Sequence, residues 1–303
     1  MALRLTSKDY EMFQIIAEYR IITSPQLAAL LSRSKKGVRD RISKLIAEGL
    51  LEEAARGRGQ HAGRPERVLF LCKPAVIMLR ERGLIDPQVP SDDIIGEHIH
   101  CQNHQLLLNW VRIHLNHIKT AAPGLKIRFL AHSSPFMPKE FSSVSVSVSS
   151  VSAHSRTGEV ISFKPDATFS ICDSNQGKTL LFFLEVDLGT ETLASPKRGL
   201  TDIRQKILNY GSCFDTQVYK RYEKLWNCQL NGFRLLFLTD NPSRMSTLCS
   251  LVREMQPSDF IWIAQKDRMF EDGISAEIWA RGGRLDASPQ SILGRLSCRA
   301  PLP

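Results

Sequence analysis

The first 51 residues alternate apolar and polar positions with the period of amphipathic helices. "TSKDYEMFQIIAEYR" (residues 6–20) begins with residues that cap helices and repeats apolar positions three or four residues apart, which predicts a first helix. "TSPQLAALL" (23–31) offers Ser24 as a cap and Pro25 at the first helical position, and it predicts a short second helix. "SKKGVRDRISKLIAEGLL" (34–51) predicts a third helix that ends near a glycine.

A strand pattern follows these helices. The runs "LLEEAA" (50–55) and "RVLFLC" (67–72) are strand-like, and the connection "RGRGQHAGRPE" (56–66) has the glycines and arginines of an exposed basic loop. Another helix is predicted in "KPAVIMLRERGL" (73–84). Three helices and a basic hairpin in about 80 residues resemble a winged helix-turn-helix, in which the third helix enters the major groove.

Charge strengthens that interpretation. The formal net charge is +9, and residues 1–86 carry 16 basic against 10 acidic residues, so +6 of the excess lies there. Such asymmetry favours a polyanionic partner, double-stranded DNA before a membrane. The alternative is a solvated face of a protein-interaction domain. The expected DNA contacts lie on the third helix and on the wing: Lys35, Lys36, Arg39, Arg56, Arg58 and Arg64.

Cysteine usage and hydropathy limit the class of protein. The seven cysteines are an odd number without a Cys-x-x-Cys pair, which argues against a disulfide framework or a ribbon-type zinc site. The longest apolar run, "LLFFL" (180–184), is far shorter than the roughly 20 residues of a membrane span. The N-terminus lacks the apolar core of a signal peptide. These features predict a cytoplasmic protein without a membrane partner.

Composition shifts predict the domain organisation. "IDPQVPSDD" (85–93) has two prolines, a run of acids and no apolar period, as a linker would. "FSSVSVSVSSVSAHS" (141–155) alternates serine and valine, and a mobile insert is favoured over a two-faced ribbon because bulky residues are absent. The predicted parts are a DNA-binding domain (1–86), a linker (87–97), a second domain (98–285) with an insert (138–157), and a C-terminal tail (286–303).

A zinc site is one hypothesis for the long helical pattern at residues 95–119. His98, His100, Cys101 and His104 lie close together in it, and two of them, His100 and His104, share a helical face. The apolar residues between them favour ordinary packing, so the zinc hypothesis ranks below the others.

The second domain has strands that alternate with helices, which predicts an α/β sheet covered by helices. Strands are expected in "LKIRFLAH" (125–132), "EVISFKPDATFSIC" (159–172) and "KTLLFFLEVDLG" (178–189), the last two joined as a hairpin by "DSNQGK" (173–178). A long helix is expected at about 197–227. Further along, the order is strand (233–240), helix (242–256) and strand (259–265).

The order of these elements, with Pro-Asp on the second strand and acids at the end of the third, resembles the PD-(D/E)XK nuclease superfamily. With a winged helix in front and "EVDLGTET" followed by "KILNY", roughly residues 5–265 resemble the replication-relaxation family of bacterial mobile elements. The expected fold is a winged helix-turn-helix followed by a PD-(D/E)XK-like mixed sheet flanked by helices.

The resemblance implies a site for Mg²⁺ or Mn²⁺. By position, Asp166 matches the first metal-binding acid and Glu185 the second, but Asp187 stands where active members have a lysine. Residues 185 and 187 point to one face of a strand, so three carboxylates are expected to converge and to hold a hard divalent ion. Lys206 resembles the migrated basic residue of some members, and Tyr210 shares its helical face. The expected catalytic set is therefore Asp166, Glu185, Asp187, Lys206 and Tyr210.

Two functions from different classes remain open. The first is a DNA-binding protein of a plasmid, phage or integrated element that acts in replication, relaxation or transfer, with replication or mobilisation proteins as partners. Its nuclease-like domain is either a metal-dependent nicking enzyme or a catalytically degraded relative. The second is a non-enzymatic transcriptional regulator or assembly scaffold whose C-terminal domain serves for pairing in a homodimer.

Overall fold

The protein divides into two compact units. The computed structural model describes residues 3–55, 66–99, 101–152, 155–189, 193 and 202–294. Unit 1 consists of Met1–Ile113 and Ser133–Met137, and unit 2 consists of His114–His132 and Pro138–Pro303.

Unit 1 follows the predicted order of helices and strands. Its elements are α1 (Ser7–Tyr19), β1 (Ile22–Thr23), α2 (Ser24–Leu31), α3 (Lys35–Ala47), β2 (Leu51–Ala55), β3 (Arg67–Leu71), α4 (Lys73–Glu81) and α5 (Ser91–Ile94). The three strands form a sheet in the order β1-β3-β2. The helix starts have local causes. Thr23, not the expected Ser24, caps α2, because its side chain accepts a hydrogen bond from the Gln26 amide at 3.4 Å. The side chain of Ser34 caps α3 and accepts from the Gly37 amide at 3.2 Å.

The boundary between the units lies far from the predicted linker. Residues 85–99 belong to unit 1, where Ile94 is buried and Gly96 packs against the backbone of Arg20. Leu106, on α6 (Gln102–Ala121), joins the buried cluster around Ile21 and β3. The prediction of a linker at 87–97 is wrong because prolines and acids mark a surface turn here, while the following apolar residues complete the core of unit 1.

Unit 2 contains a six-stranded mixed sheet with helices in the connections. After the second half of α6 come β4 (Leu125–Ala131), β5 (Val144–Ser152), β6 (Ser155–Phe163), β7 (Ala167–Asp173), β8 (Lys178–Asp187), α7 (Ile203–Asp215), α8 (Arg221–Trp226), β9 (Phe233–Thr239), α9 (Pro242–Glu254), β10 (Ile261–Gln265), α10 (Lys266–Asp272) and β11 (Ala280–Arg281). The strand order is β11-β10-β9-β8-β7-β4. Strands β4, β7 and β8 are antiparallel neighbours, whereas β8, β9 and β10 run parallel.

The serine and valine alternation forms a ribbon. Strands β5 and β6 pair as a separate antiparallel sheet, from Val144 opposite Phe163 to Ser152 opposite Ser155. Val144 and Val146 are buried. The favoured prediction of a mobile insert is therefore wrong for the described residues, since a strict period of two places valine on one face even without bulky side chains.

Three further predictions in unit 2 need correction. The expected strand at 159–172 is broken at Pro165, whose missing N–H cannot join a ladder, so the chain leaves one sheet at Phe163 and enters the other at Ala167. The helix expected at about 197–227 is interrupted after α7 at Gln217, which has a φ of 56°; residues 194–201 lie outside the described part. The predicted tail at 286–303 contains packed residues, because Ser291, Ile292 and Leu293 are buried and Ser291 donates a hydrogen bond to the Ser275 carbonyl at 2.6 Å.

Candidate functional site

Two acidic residues meet at the end of β8. In the β7–β8 hairpin Ala167 lies opposite Leu184, so Asp166 comes next to Glu185. The Asp166 amide donates to the Leu184 carbonyl at 3.2 Å, and the carboxylate Oδ2 of Asp166 accepts from the Val186 amide at 2.8 Å. The strand break at Pro165 thus places Asp166 beside the acidic end of the neighbouring strand.

Two residues of α7 bind the carboxyl group of Glu185. The hydroxyl of Tyr210 donates to Glu185 Oε1 at 2.6 Å, and Lys206 Nζ donates to Oε2 at 3.2 Å. Lys206 and Tyr210 lie one turn apart on α7. The N-cap of this helix is Asp202, whose side chain accepts a hydrogen bond from the Gln205 amide at 2.8 Å. Four of the five residues expected at the site are therefore in one cluster.

Glu185 and Tyr210 are buried, and burial raises the pKa of both groups. Glu185 is only 3% exposed, and Tyr210 is fully buried with its ring 5.3 Å from that of Phe183 and 4.8 Å from that of Phe163. Burial and the neighbouring Asp166 carboxylate raise the pKa of Glu185 to about 8, against the opposing effect of Lys206 and Tyr210. Burial and Glu185 raise the pKa of the Tyr210 phenol as well.

Asp187 is bound by a residue that the sequence did not point to. Arg244 donates from Nε to Asp187 Oδ2 at 2.6 Å and from Nη2 to Oδ1 at 3.1 Å, and the Gly189 amide donates to Oδ1 at 2.9 Å. Such a bidentate pair neutralises the carboxylate. Arg244 lies in the first turn of α9, directly after β9, which is the parallel neighbour of β8. The order strand, helix, strand in the sequence was the signal that could have predicted this pair, because the start of α9 lies at the end of the strand parallel to β8.

The expected three-carboxylate metal centre does not fit this geometry. Within the described ranges, no group of three or more His, Cys, Asp or Glu residues is placed to hold a metal ion. Asp187 is paired with Arg244, and both oxygens of Glu185 accept hydrogen bonds. The carboxyl oxygens expected to bind a metal ion therefore accept hydrogen bonds from protein side chains. Metal binding at Asp166 and Glu185 stays a prediction, and the residues that neutralise Glu185 and Asp187 lie on helices distant in the sequence.

The same finding bears on the zinc hypothesis for residues 98–104. His100 and the side chain of His98 lie outside the described residues, and α6 begins only at Gln102. Of the other two candidates, Cys101 is exposed and His104 lies on α6. The described residues form no zinc-binding group here.

Helix α3 of unit 1 presents basic residues to solvent. Lys35, Lys36, Arg39 and Lys44 are exposed, while Val38, Ile42 and Leu45 are buried on the opposite side. Arg41, also on α3, points elsewhere: its guanidinium holds Asp9 of α1 through two hydrogen bonds of 2.6 and 2.7 Å. Arg56, Arg58 and Arg64 of the expected wing lie outside the described residues.

The comparison with protein families gave one match. A family model described as replication-relaxation matches residues 13–227, which is more than half of the 303 residues. The search of curated proteins gave no match. Over the described part of the chain, no helix has both the length and the apolar character needed to cross a membrane.

Solved structures give only a distant likeness. The structure titled as a zinc-responsive MarR family member, Lactococcus lactis ZitR, matches with 22% identity over 27% of this chain and 54% of that chain, at a TM-score of 0.23. A mutant of the same protein matches with 25% identity over 27% of this chain and 52% of that chain, also at 0.23. The chain spans about half the length of these structures, and a TM-score this low carries no argument about fold or function.

Proposed function

Because this chain belongs to the replication-relaxation family, we propose that it is a DNA-binding protein that acts in the replication or relaxation of mobile-element DNA. In this proposal unit 1 is a winged helix-turn-helix that binds double-stranded DNA through α3. Unit 2, a nuclease-like domain of the PD-(D/E)XK type, engages the DNA without a three-carboxylate metal centre.

The exposed basic side of α3 is the observation that supports DNA binding. The other side of α3 is buried in the core of unit 1, so the helix holds its exposed basic side chains in fixed positions. These are Lys35, Lys36, Arg39 and Lys44. The N-terminal part of such a helix is the part that contacts base edges in helix-turn-helix proteins, while flanking cations bind phosphate. The excess of +6 in residues 1–86 agrees with a polyanionic partner.

The test is DNA binding by the full chain and a variant that carries Lys36→Ala and Arg39→Ala. Losing Lys36 from the groove and Arg39 from a phosphate should weaken binding to duplex DNA, and the lost phosphate contact should reduce the slope of log K against log salt by roughly 0.9. The matched control carries Lys73→Ala and Lys119→Ala, two exposed lysines on α4 and α6, and removes the same charge. Equal affinities and slopes for the two variants would remove α3 as the DNA contact.

DNA nicking is the second candidate, and the contact between Lys206 and Glu185 favours it. Lys206 Nζ lies 3.2 Å from Glu185 Oε2, so an ammonium group stands beside the acids although residue 187 is not lysine. Ammonium groups at such sites stabilise the charge that develops on phosphate.

A nicking assay separates the second candidate from a non-enzymatic regulator or scaffold. Supercoiled DNA is incubated with the wild-type chain, Asp166→Asn and Glu185→Gln, with Mg²⁺ or Mn²⁺ and without either ion. Metal-dependent nicking that both substitutions abolish would establish a nuclease. DNA binding without nicking would leave the non-enzymatic function.

A further inference from the structure

The exposed side of α3 has a central stripe and two flanks. At 3.6 residues per turn, Lys36, Asp40, Ser43 and Ala47 fall within about 60° of one another around the helix axis. All four are exposed, and the stripe is about 16 Å long at 1.5 Å per residue. A helix lying in the major groove with this side inward turns the stripe toward the floor of the groove, and the residues in its N-terminal half contact the base edges.

Arg39 and Lys44 flank the stripe on opposite sides. Their directions differ by about 140° around the axis, so each faces one wall of the groove when the stripe faces the floor. Both side chains are exposed. Phosphates line these walls, and the flanking cations therefore suit backbone contacts rather than base contacts.

Asp40 places a negative charge on a surface that is otherwise suited to bind phosphate. Its carboxylate lies near the middle of the stripe, next to Lys36 and Lys44 at four-residue spacing. Among the described residues it takes part in no hydrogen bond or ion pair, in contrast to Asp9, which Arg41 holds. A carboxylate in the groove is repelled by the DNA backbone at every sequence, and only a base that donates a hydrogen bond compensates for this.

We propose that Asp40 determines sequence specificity by accepting a hydrogen bond from the N4 amino group of a cytosine in the major groove. This inference rests on the proposed function, in which α3 enters that groove. On its own ring cytosine presents the N4 amino group beside a C5–H, whereas adenine places its N7 acceptor beside the N6 amino group. At adenine the second carboxylate oxygen would lie beside the N7 acceptor, which repels it. Asp40 therefore selects cytosine over adenine.

Ser43 supports this assignment from the next turn. Its hydroxyl donates to the Arg39 carbonyl at 3.1 Å, which leaves the oxygen of Ser43 as an acceptor toward the groove. Two acceptors therefore stand three residues apart on the stripe. The surface between the basic flanks therefore carries two acceptors for the amino groups of bases.

The experiment is a selection from randomised DNA duplexes with the full-length chain, followed by affinity measurements on single-base variants of the selected site. The wild-type chain should select cytosine at one position and lose about tenfold in affinity when that C·G pair becomes T·A. Asp40→Asn should change the preference at that position to adenine, because an amide pairs with both N6 and N7. The salt slope should be the same for both proteins, since Asp40 neutralises no phosphate.

The control is Glu48→Gln, which removes the same charge from the exposed end of α3, away from the stripe. It should leave every base preference unchanged. If Asp40→Asn keeps the wild-type preference while Lys36→Ala with Arg39→Ala weakens binding, this inference is overturned and the proposed function stands. If the wild-type chain binds no duplex, or the Lys36 and Arg39 substitutions have no effect, both are overturned.

Discussion

Removing the cation beside Glu185 should make the stability of unit 2 more dependent on pH. In the wild-type protein Lys206 Nζ lies 3.2 Å from Glu185 Oε2, and Lys206 is mostly buried. At an effective dielectric constant of 20, two unit charges at this distance interact with an energy on the order of 5 kcal/mol. Lys206→Met removes this attraction, so the pKa of Glu185 should rise well above its wild-type value of about 8.

The sign of the effect follows from proton binding. The pKa of Glu185 is raised by folding from its ordinary 4.5, so the folded protein keeps a proton that the unfolded chain loses, and stability falls as pH rises from 4.5 to 8. Above pH 8 wild-type Glu185 is ionised in both states and this loss stops. In Lys206→Met the loss continues at about 1.4 kcal/mol per pH unit. The variant should therefore lose about 1.4 kcal/mol more than the wild type between pH 6.5 and pH 9.

Urea unfolding at pH 6.5 and pH 9, followed by tryptophan fluorescence, measures this difference. Three of the four tryptophans, Trp226, Trp262 and Trp279, belong to unit 2. The matched control introduces Lys206→Met into a Glu185→Gln background, where the cost of the substitution should be the same at both pH values. A cost in the wild-type background that is also independent of pH would refute the coupling between Lys206 and Glu185.

Three other substitutions test the contacts inside each unit. Arg41→Met leaves the buried Asp9 carboxylate without its cationic partner, with hydrogen bonds only from Thr6, and should cost unit 1 about 3 kcal/mol in urea unfolding, as broken buried ion pairs do. Gly96→Ala should destabilise unit 1 by at least about 2 kcal/mol in the same assay, because a methyl group would lie 2.4 Å from the Arg20 carbonyl oxygen. Gly211→Ala should raise the melting temperature, since the site in α7 is open and alanine favours helix by about 1 kcal/mol.

For each of these three predictions, one result would contradict it. Arg33→Met, which breaks the exposed pair with Glu11, should cost less than about 1 kcal/mol. An equal cost for Arg41→Met would show that the Asp9 pair is also weak. An unchanged stability for Gly96→Ala would show that residues 85–99 move away from Arg20 easily, and a lower melting temperature for Gly211→Ala would show that the site is crowded.

The sequence by itself determined the local elements and the character of their surfaces. The periods of three to four residues placed α1, α2 and α3 nearly at their observed bounds. The turn at 173–178 placed the β7–β8 hairpin, and the spacing of Lys206 and Tyr210 placed both on the side of α7 that faces Glu185. These features follow from neighbours within a few residues, where backbone geometry fixes which side chains share a face.

Only the tertiary structure decided which distant groups neutralise one another. Asp187 was expected to join Asp166 and Glu185 around an ion, but Arg244, 57 residues further along, binds it instead. The residues near 87–97 were expected to separate the domains, yet they pack in unit 1. Local pattern says that a side chain is buried or charged, whereas its partner depends on which helices the sheet order brings alongside.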